Sequence, residues 1–374
     1  MPPWTVDFRP WVRAIPEHAD FVVVGGGFSG LSAAASLKRL APGKSVLVLE
    51  RETLGDGASG RTGGMALAET AAGDLPGLGD VLRGYRRILR TLKTEGEVAL
   101  PGALELGRTG GLKHSPIEWN DSGKLRAVKK IAGGTVNPGK VVAGLARAAQ
   151  SAGAQIVEHA EVMAVTLVSA NSAASGAALQ LEVSLRGRRG SSKVLIRAER
   201  ILLATNALSL DLSELSAAQA KLTLAVATEP LTRAQIKALG LASHKPFYTV
   251  DLPYLWGRLM KNNAAIFGSG LVHAPEERNL HQIDVRKGDA AERIAWLQDR
   301  VRGLHPILKK VRFTHRWGGP ILLTEGAKPV FREHPRLPGT MVLAGYNGHG
   351  VALSVYLGEW AAQALLGRRE LPKW

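Results

Sequence analysis

The chain has 374 residues, 45% of them hydrophobic and 21% charged, the balance of a globular protein with room for one or two domains. It contains no cysteine, which excludes disulfides and thiolate metal centres, and no metal site is expected. Lys and Arg number 48 against 32 Asp and Glu, a net charge of +16, but the basic residues are scattered and no apolar run approaches the roughly 18 residues of a membrane span, so neither a nucleic-acid partner nor a transmembrane segment is expected. The N-terminal MPPWTVDFRPWVRAIPEHAD lacks the apolar core and small-residue cleavage site of a signal peptide, which predicts a cytoplasmic protein. Its Pro2, Pro3, Trp4, Trp11 and Pro16 read as an extended arm packed on the body.

An apolar strand, Phe21 to Val24, then runs into Gly25-Gly26-Gly27-Phe28-Ser29-Gly30, an alanine-rich helix, and a second apolar strand that ends at Glu50. Each part has a physical task in dinucleotide binding. Gly25 turns the chain out of the strand, Gly27 lets the backbone approach a pyrophosphate, and Gly30 lets the helix lie close on the sheet. The helix start near Ser29 offers free N–H groups to the phosphates. Glu50 follows Gly30 by 20 residues, where an acid accepts hydrogen bonds from ribose hydroxyls.

Farther along, Leu82 to Lys93 reads as a basic helix. Asn137-Pro138-Gly139-Lys140 opens an amphipathic helix to Ala152, stopped by Gly153, which feeds a strand from Gln155 to Val157. From Val162 to Leu203 the alternation of Leu179, Leu181, Val183 and Leu185 predicts a small β-meander. Within it, Arg186-Gly187-Arg188-Arg189-Gly190 reads as a solvated hairpin turn. Strands are expected at Phe247 to Asp251, Tyr254 to Leu259, Ala265 to Leu271 and Arg312 to Trp317. Ala290 to Leu304 reads as a helix with Ile294, Leu297, Val301 and Leu304 inward.

Three further blocks resemble the D-amino-acid oxidase superfamily of flavoproteins, and within it the amine and amino-acid oxidoreductases of the glycine, sarcosine and glutamylputrescine oxidising branches. After Arg51 comes Gly55-Asp56-Gly57-Ala58-Ser59-Gly60-Arg61-Thr62-Gly63-Gly64-Met65, similar to the segment placed along the pyrophosphate and isoalloxazine. Ile201 to Ala207 resembles an apolar strand closing on Ala-Thr-Asn, here Ala204-Thr205-Asn206. Leu343-Ala344-Gly345-Tyr346-Asn347-Gly348-His349-Gly350-Val351, followed by a helix from Ala352 to Leu366, resembles the C-terminal glycine motif that sets a helix N-terminus against the flavin pyrimidine. The resemblance implies FAD, bound through Arg51, Ser59, Gly60, Arg61, Thr62, Thr205, Asn206, Gly345, Gly348, His349 and Gly350, with Val162 framing the adenine. The absence of cysteine removes one kind of covalent link, so noncovalent FAD is expected.

The implied fold is α/β (α+β overall). A Rossmann-like FAD domain is expected over residues 1–65, 135–222 and 319–374, and a discontinuous antiparallel-sheet substrate domain over 66–134 and 223–318. The implied reaction is oxidation of an amine or amino-acid C–N bond to an imine, with dioxygen or another acceptor reoxidising the flavin. Oxidation of a 2-hydroxy acid or polyol is the alternative, and a non-enzymatic flavin-bearing binding protein rests only on the charge.

For the substrate, alternation places Tyr254, Trp256 and Arg258 on one strand face, where the rings would wall the site and Arg258 would fork a carboxylate. Tyr346 and Arg316 are further candidates. Amino-acid oxidising relatives carry an arginine anchor a few residues after a Trp-x-Gly turn, but here that position holds Ile321, so amine and amino acid both stay open. Replacing Arg188 and Arg189 with serine is expected to leave flavin content and turnover unchanged and to shift stability by less than about 0.5 kcal/mol. A denaturant titration and a turnover assay check this.

Overall fold

The computed structural model describes residues 1–168, 179–187, 190–273, 280 and 283–374. Gly187 pairs with Gly190 across the hairpin, while Arg188 and Arg189 lie outside the described residues.

The strand His18–Val24 is central to the first sheet, where it pairs in parallel with Val46–Leu49 on one side and Gly190–Leu203 on the other. The sheet continues outward to Gln155–Val157 at one end, and through Thr340–Ala344 to the antiparallel Val330–Glu333 at the other. Val22, Val23, Leu47, Val48, Leu202 and Leu203 are fully buried, as the uninterrupted apolar runs of a parallel sheet covered on both faces require. Helices Phe28–Leu40, Pro138–Ser151 and Gly350–Leu365 cover one face. The expected meander covers the other, with Leu179, Leu181 and Val183 fully buried.

Two of these helices approach closely. A Cβ on Gly358 would stand 2.5 Å from the Ser29 carbonyl oxygen and 2.9 Å from the Ser32 Cβ. The Ser32 hydroxyl donates to the Val355 carbonyl at 2.7 Å, and the Tyr346 and Ser29 hydroxyls share a hydrogen bond of 2.5 Å. Asn137 caps Pro138–Ser151 by accepting from the Lys140 N–H, as its sequence signature requires.

The second sheet has eight strands, in the order Phe313–Leu323, Gln219–Pro230, Ala264–Val272, Trp256–Leu259, Phe247–Thr249, Ala103–Gly107, Lys124–Ile131 and Glu118–Asn120. Neighbours are antiparallel except Phe247–Thr249 with Ala103–Gly107, which run parallel. Helix Gly288–Leu304 covers one face and buries Ala290, Ile294, Leu297, Val301 and Leu304. The expected basic helix spans Val81–Thr91.

All four expected domain boundaries fall inside continuous strands: 65/66 in Met65–Leu67, 134/135 in Gly133–Thr135, 222/223 in Gln219–Pro230 and 318/319 in Phe313–Leu323. These strands pair two by two. At each of these positions the chain is therefore hydrogen-bonded ladder rather than loop. Pro320 sits on the edge strand, where its missing N–H leaves no partner unsatisfied.

Gly358→Val is expected to pry Gly350–Leu365 from Phe28–Leu40. Overpacking of this kind costs about 1–3 kcal/mol, to be read as a lower denaturation midpoint together with weaker FAD retention.

Candidate functional site

A cavity of about 1030 Å³ runs from the carboxyl ends of the parallel strands to the face of the second sheet. The chain leaves Val24 toward Val46–Leu49, and the strand on the other side of His18–Val24 belongs to a later part of the chain. Such a switch point opens a crevice at the strand ends.

At one end the cavity is lined by Glu50, Arg51, Glu161 and Val162. One Glu50 oxygen accepts from the Gly26 N–H at 2.7 Å and the other from the Glu52 N–H at 2.9 Å. Burial pushes this carboxyl above its ordinary range, and the two N–H groups oppose the shift. Each oxygen keeps a second lone pair for a hydroxyl.

The middle is lined by Gly25, Gly27, Phe28, Ser29, Ser59, Thr205 and Asn206. Gly25 has φ +111°, and a Cβ there would lie 2.6 Å from the Ala204 carbonyl oxygen. A Cβ on Gly27 would lie 2.8 Å from Ser59 Oγ, so the cradle exists only without a side chain. The N-cap residue of Phe28–Leu40 is Gly27, which has no side chain to cap it, and Ser59 Oγ accepts from the Phe28 N–H at 2.9 Å.

Next comes the C-terminal glycine turn. Gly345 and Gly348 have φ +72° and +85°. Asn206 Oδ1 accepts from the Gly345 N–H at 3.0 Å and joins the turn to the Thr205 strand end. Asn347 braces it from the other side, accepting from the Thr324 N–H and donating to Thr324 Oγ1, both at 2.8 Å. Helix Gly350–Leu365 then begins without a side-chain cap, leaving its first N–H groups to the cavity. His349 lines the wall, bonded through Nδ1 to the Asn347 carbonyl, and burial pushes its pKa below the usual histidine range.

Residues 20–364 match the family model described as FAD dependent oxidoreductase. The chain belongs to this family. FAD is the cofactor of this oxidoreductase, and the protein is an FAD-dependent enzyme. It is 24% identical to a probable oxidoreductase, OrdL, of Rhizobium meliloti (strain 1021), over 97% of this chain and 87% of that protein. It is 26% identical to gamma-glutamylputrescine oxidoreductase of Escherichia coli (strain K12), over 94% of this chain and 84% of that one. Glycine oxidase from Geobacillus kaustophilus has the same fold, with a TM-score of 0.69 at 18% identity over 95% of this chain and 96% of that chain. No helix among the described residues is long and apolar enough to cross a membrane, and no group of His, Asp or Glu there is placed to hold a metal ion.

The residues of this FAD-dependent oxidoreductase fit the cofactor: an acid with spare lone pairs at one end of the cavity, a side-chain-free cradle, and two helix starts that face it. Of the cofactor residues expected from sequence, all but Gly30, Gly60 and Gly345 line the cavity. Those three act from behind. A Cβ on Gly30 would lie 2.0 Å from the Gly25 carbonyl oxygen and one on Gly60 2.3 Å from that of Gly55.

The substrate candidates divide. Tyr254, Trp256 and Tyr346 line the cavity, whereas Arg258 and Arg316 do not. Tyr254 precedes the strand, which begins at Trp256, so alternation does not align it with Arg258. Arg258 is buried, donates from Nε to the Gly63 carbonyl at 2.5 Å and sits over the Trp4 ring. One N–H of the guanidinium is thus engaged by the Gly63 backbone, and the side chain is not among the lining residues. Arg316 is exposed, and its carbonyl accepts from the N-terminal ammonium. Trp317, Leu252, Arg293 and Trp296 line the cavity unanticipated by sequence. The signal for Trp296 was a tryptophan on the polar face of an amphipathic helix. Gly27→Val should abolish FAD loading, because the added side chain fills the cradle; absorbance of the purified protein and its acid extract checks this.

Proposed function

We propose that this enzyme oxidises the C–N bond of a small amine with no carboxylate on the reacting carbon, giving an imine that water hydrolyses. The observation that carries this reading is the wall of the second-sheet end: Trp256, Trp317, Tyr254, Leu252 and Leu271, with Ile321 at the position where an arginine anchor would stand. The basic side chains among the described lining residues are Arg51, Arg61, Arg293 and His349. Arg51 lies at the Glu50 end, while Arg61 pairs with Asp56 and Arg293 with Asp289, both at 2.8 Å. A relative named for gamma-glutamylputrescine is in keeping with an amine substrate.

Bound FAD supplies the two-electron acceptor for hydride from the carbon bearing nitrogen. The N–H groups at the start of Gly350–Leu365 supply donors for negative charge that builds as electrons arrive. The aromatic wall keeps water from the reacting carbon. His349 carries its proton on Nδ1 while the Asn347 carbonyl accepts it, so Nε2 is free to take a proton from the substrate ammonium. Burial pushes its pKa down, which favours the neutral ring that can accept a proton.

The test is anaerobic flavin reduction by butylamine, putrescine, sarcosine, D- and L-proline, L-lactate and glycerol, followed by admission of air. Butylamine or putrescine should bleach the flavin fastest, and faster bleaching by lactate or glycerol would reverse the assignment. Arg258→Ala should lower kcat/KM equally for an amine and an amino acid, by about 10- to 150-fold, the value of one charge-assisted hydrogen bond. A loss confined to the amino acid would show that Arg258 reaches a carboxylate.

A further inference from the structure

Behind the cavity wall lies a buried ion cluster that no step above uses. Asp121 sits in the turn between Glu118–Asn120 and Lys124–Ile131, its side chain 4% exposed. Its carboxylate accepts from Arg108 Nη2 at 2.6 Å and from Arg300 Nε and Nη2 at 3.0 and 2.7 Å. The Arg300 side chain is 6% exposed. Taking three charges out of water is costly and brings little net stability, so such a cluster is better understood by what it fixes.

It fixes one segment. Arg300 donates to the carbonyls of Pro253 at 2.7 Å and Tyr254 at 2.9 Å. Arg108 donates to the Pro253 carbonyl at 3.3 Å, and its guanidinium and backbone N–H both hold the Asp251 carboxylate. Ser269 Oγ donates to the Tyr254 carbonyl while accepting from Arg300. The front of the same segment presents Leu252, Pro253 and Tyr254 to the cavity. Leu252 is 83% exposed and Tyr254 41%, so side-chain packing does little to hold them and the backbone bonds set their position. Arg300 also lies above the ring of Trp296, another lining residue, on its own helix.

We propose that Asp121, Arg108 and Arg300 are positioning residues. They hold Asp251–Tyr254 as a fixed wall and thereby set which amines the cavity takes. The proposal rests on reading this end of the cavity as the substrate end.

The test compares FAD-loaded wild type with Arg300→Lys, which keeps the charge but cannot reach Asp121 and both carbonyls together. Amide hydrogen exchange over residues 250–255 should quicken by about tenfold or more while the rest of the chain and the FAD content stay unchanged. With butylamine and hexylamine, KM should rise on the order of 10- to 100-fold with kcat little changed, and the preference between the two amines should narrow. Unchanged exchange in the segment overturns the clamp, as does faster exchange throughout the chain, which is a stability effect. A fall in kcat at constant KM overturns the positioning role. Should Arg300→Lys not fold, Ser269→Ala removes one hydrogen bond from the same segment and should shift exchange and KM in the same direction by less. The exchange measurement needs no turnover, so a failed amine screen and a failed clamp are read separately.

Discussion

A helix start leaves N–H groups without partners inside the helix, and this molecule brings two helix starts to one crevice. Phe28–Leu40 and Gly350–Leu365 both begin at the carboxyl ends of parallel strands, and they lie against each other where Gly358 meets Ser29 and Ser32. That contact sets where the two positive helix ends point. The glycine turns, Asn206 and Asn347 hold the strand ends in the same frame. The cofactor of this family carries negative charge at its phosphates and gains it on the flavin during reaction, so both helix ends find a use.

The second sheet is tied to this frame by four strand crossings paired into two ladders, Met65–Leu67 with Gly133–Thr135 and Gln219–Pro230 with Phe313–Leu323. Trp317, on one of these strands, donates to the Arg61 carbonyl at 2.9 Å, and Trp4 donates to that of Gly60 at 2.7 Å. Arg258 grips the Gly63 carbonyl from a third direction. Three side chains from separate parts of the chain thus hold the Gly60–Gly63 backbone in place beside the cavity.

Much of this was legible in the sequence wherever a local rule governs. The strand–glycine–helix–strand–Glu50 order announced the nucleotide end because each residue answers to its neighbours. Asn137 as a cap and the inward stripe from Ile294 to Leu304 follow from the same kind of rule. Arg258 was not legible. Alternation gives a face, but which partner a long buried guanidinium finds depends on the tertiary position of Gly63, 195 residues away. The boundaries expected from composition fall within strands, which composition alone does not mark. The outward stripe of Arg293, Trp296 and Arg300 carries contacts to the cavity and to the Asp251–Tyr254 segment that only the folded chain brings within reach.

The order of strands in the first sheet also bears on biosynthesis. The Gly25–Gly30 turn leaves the ribosome before most of the residues that surround it. Its flanking strand, Gly190–Leu203, follows some 160 residues later, and the glycine turn before Gly350–Leu365 later still. A nascent chain emerging from its N-terminus therefore displays the Gly25–Gly30 turn long before the pocket around it can close. FAD can be fully enclosed only once residues 345–365 have emerged, so flavin capture reports that translation has passed Gly350–Leu365.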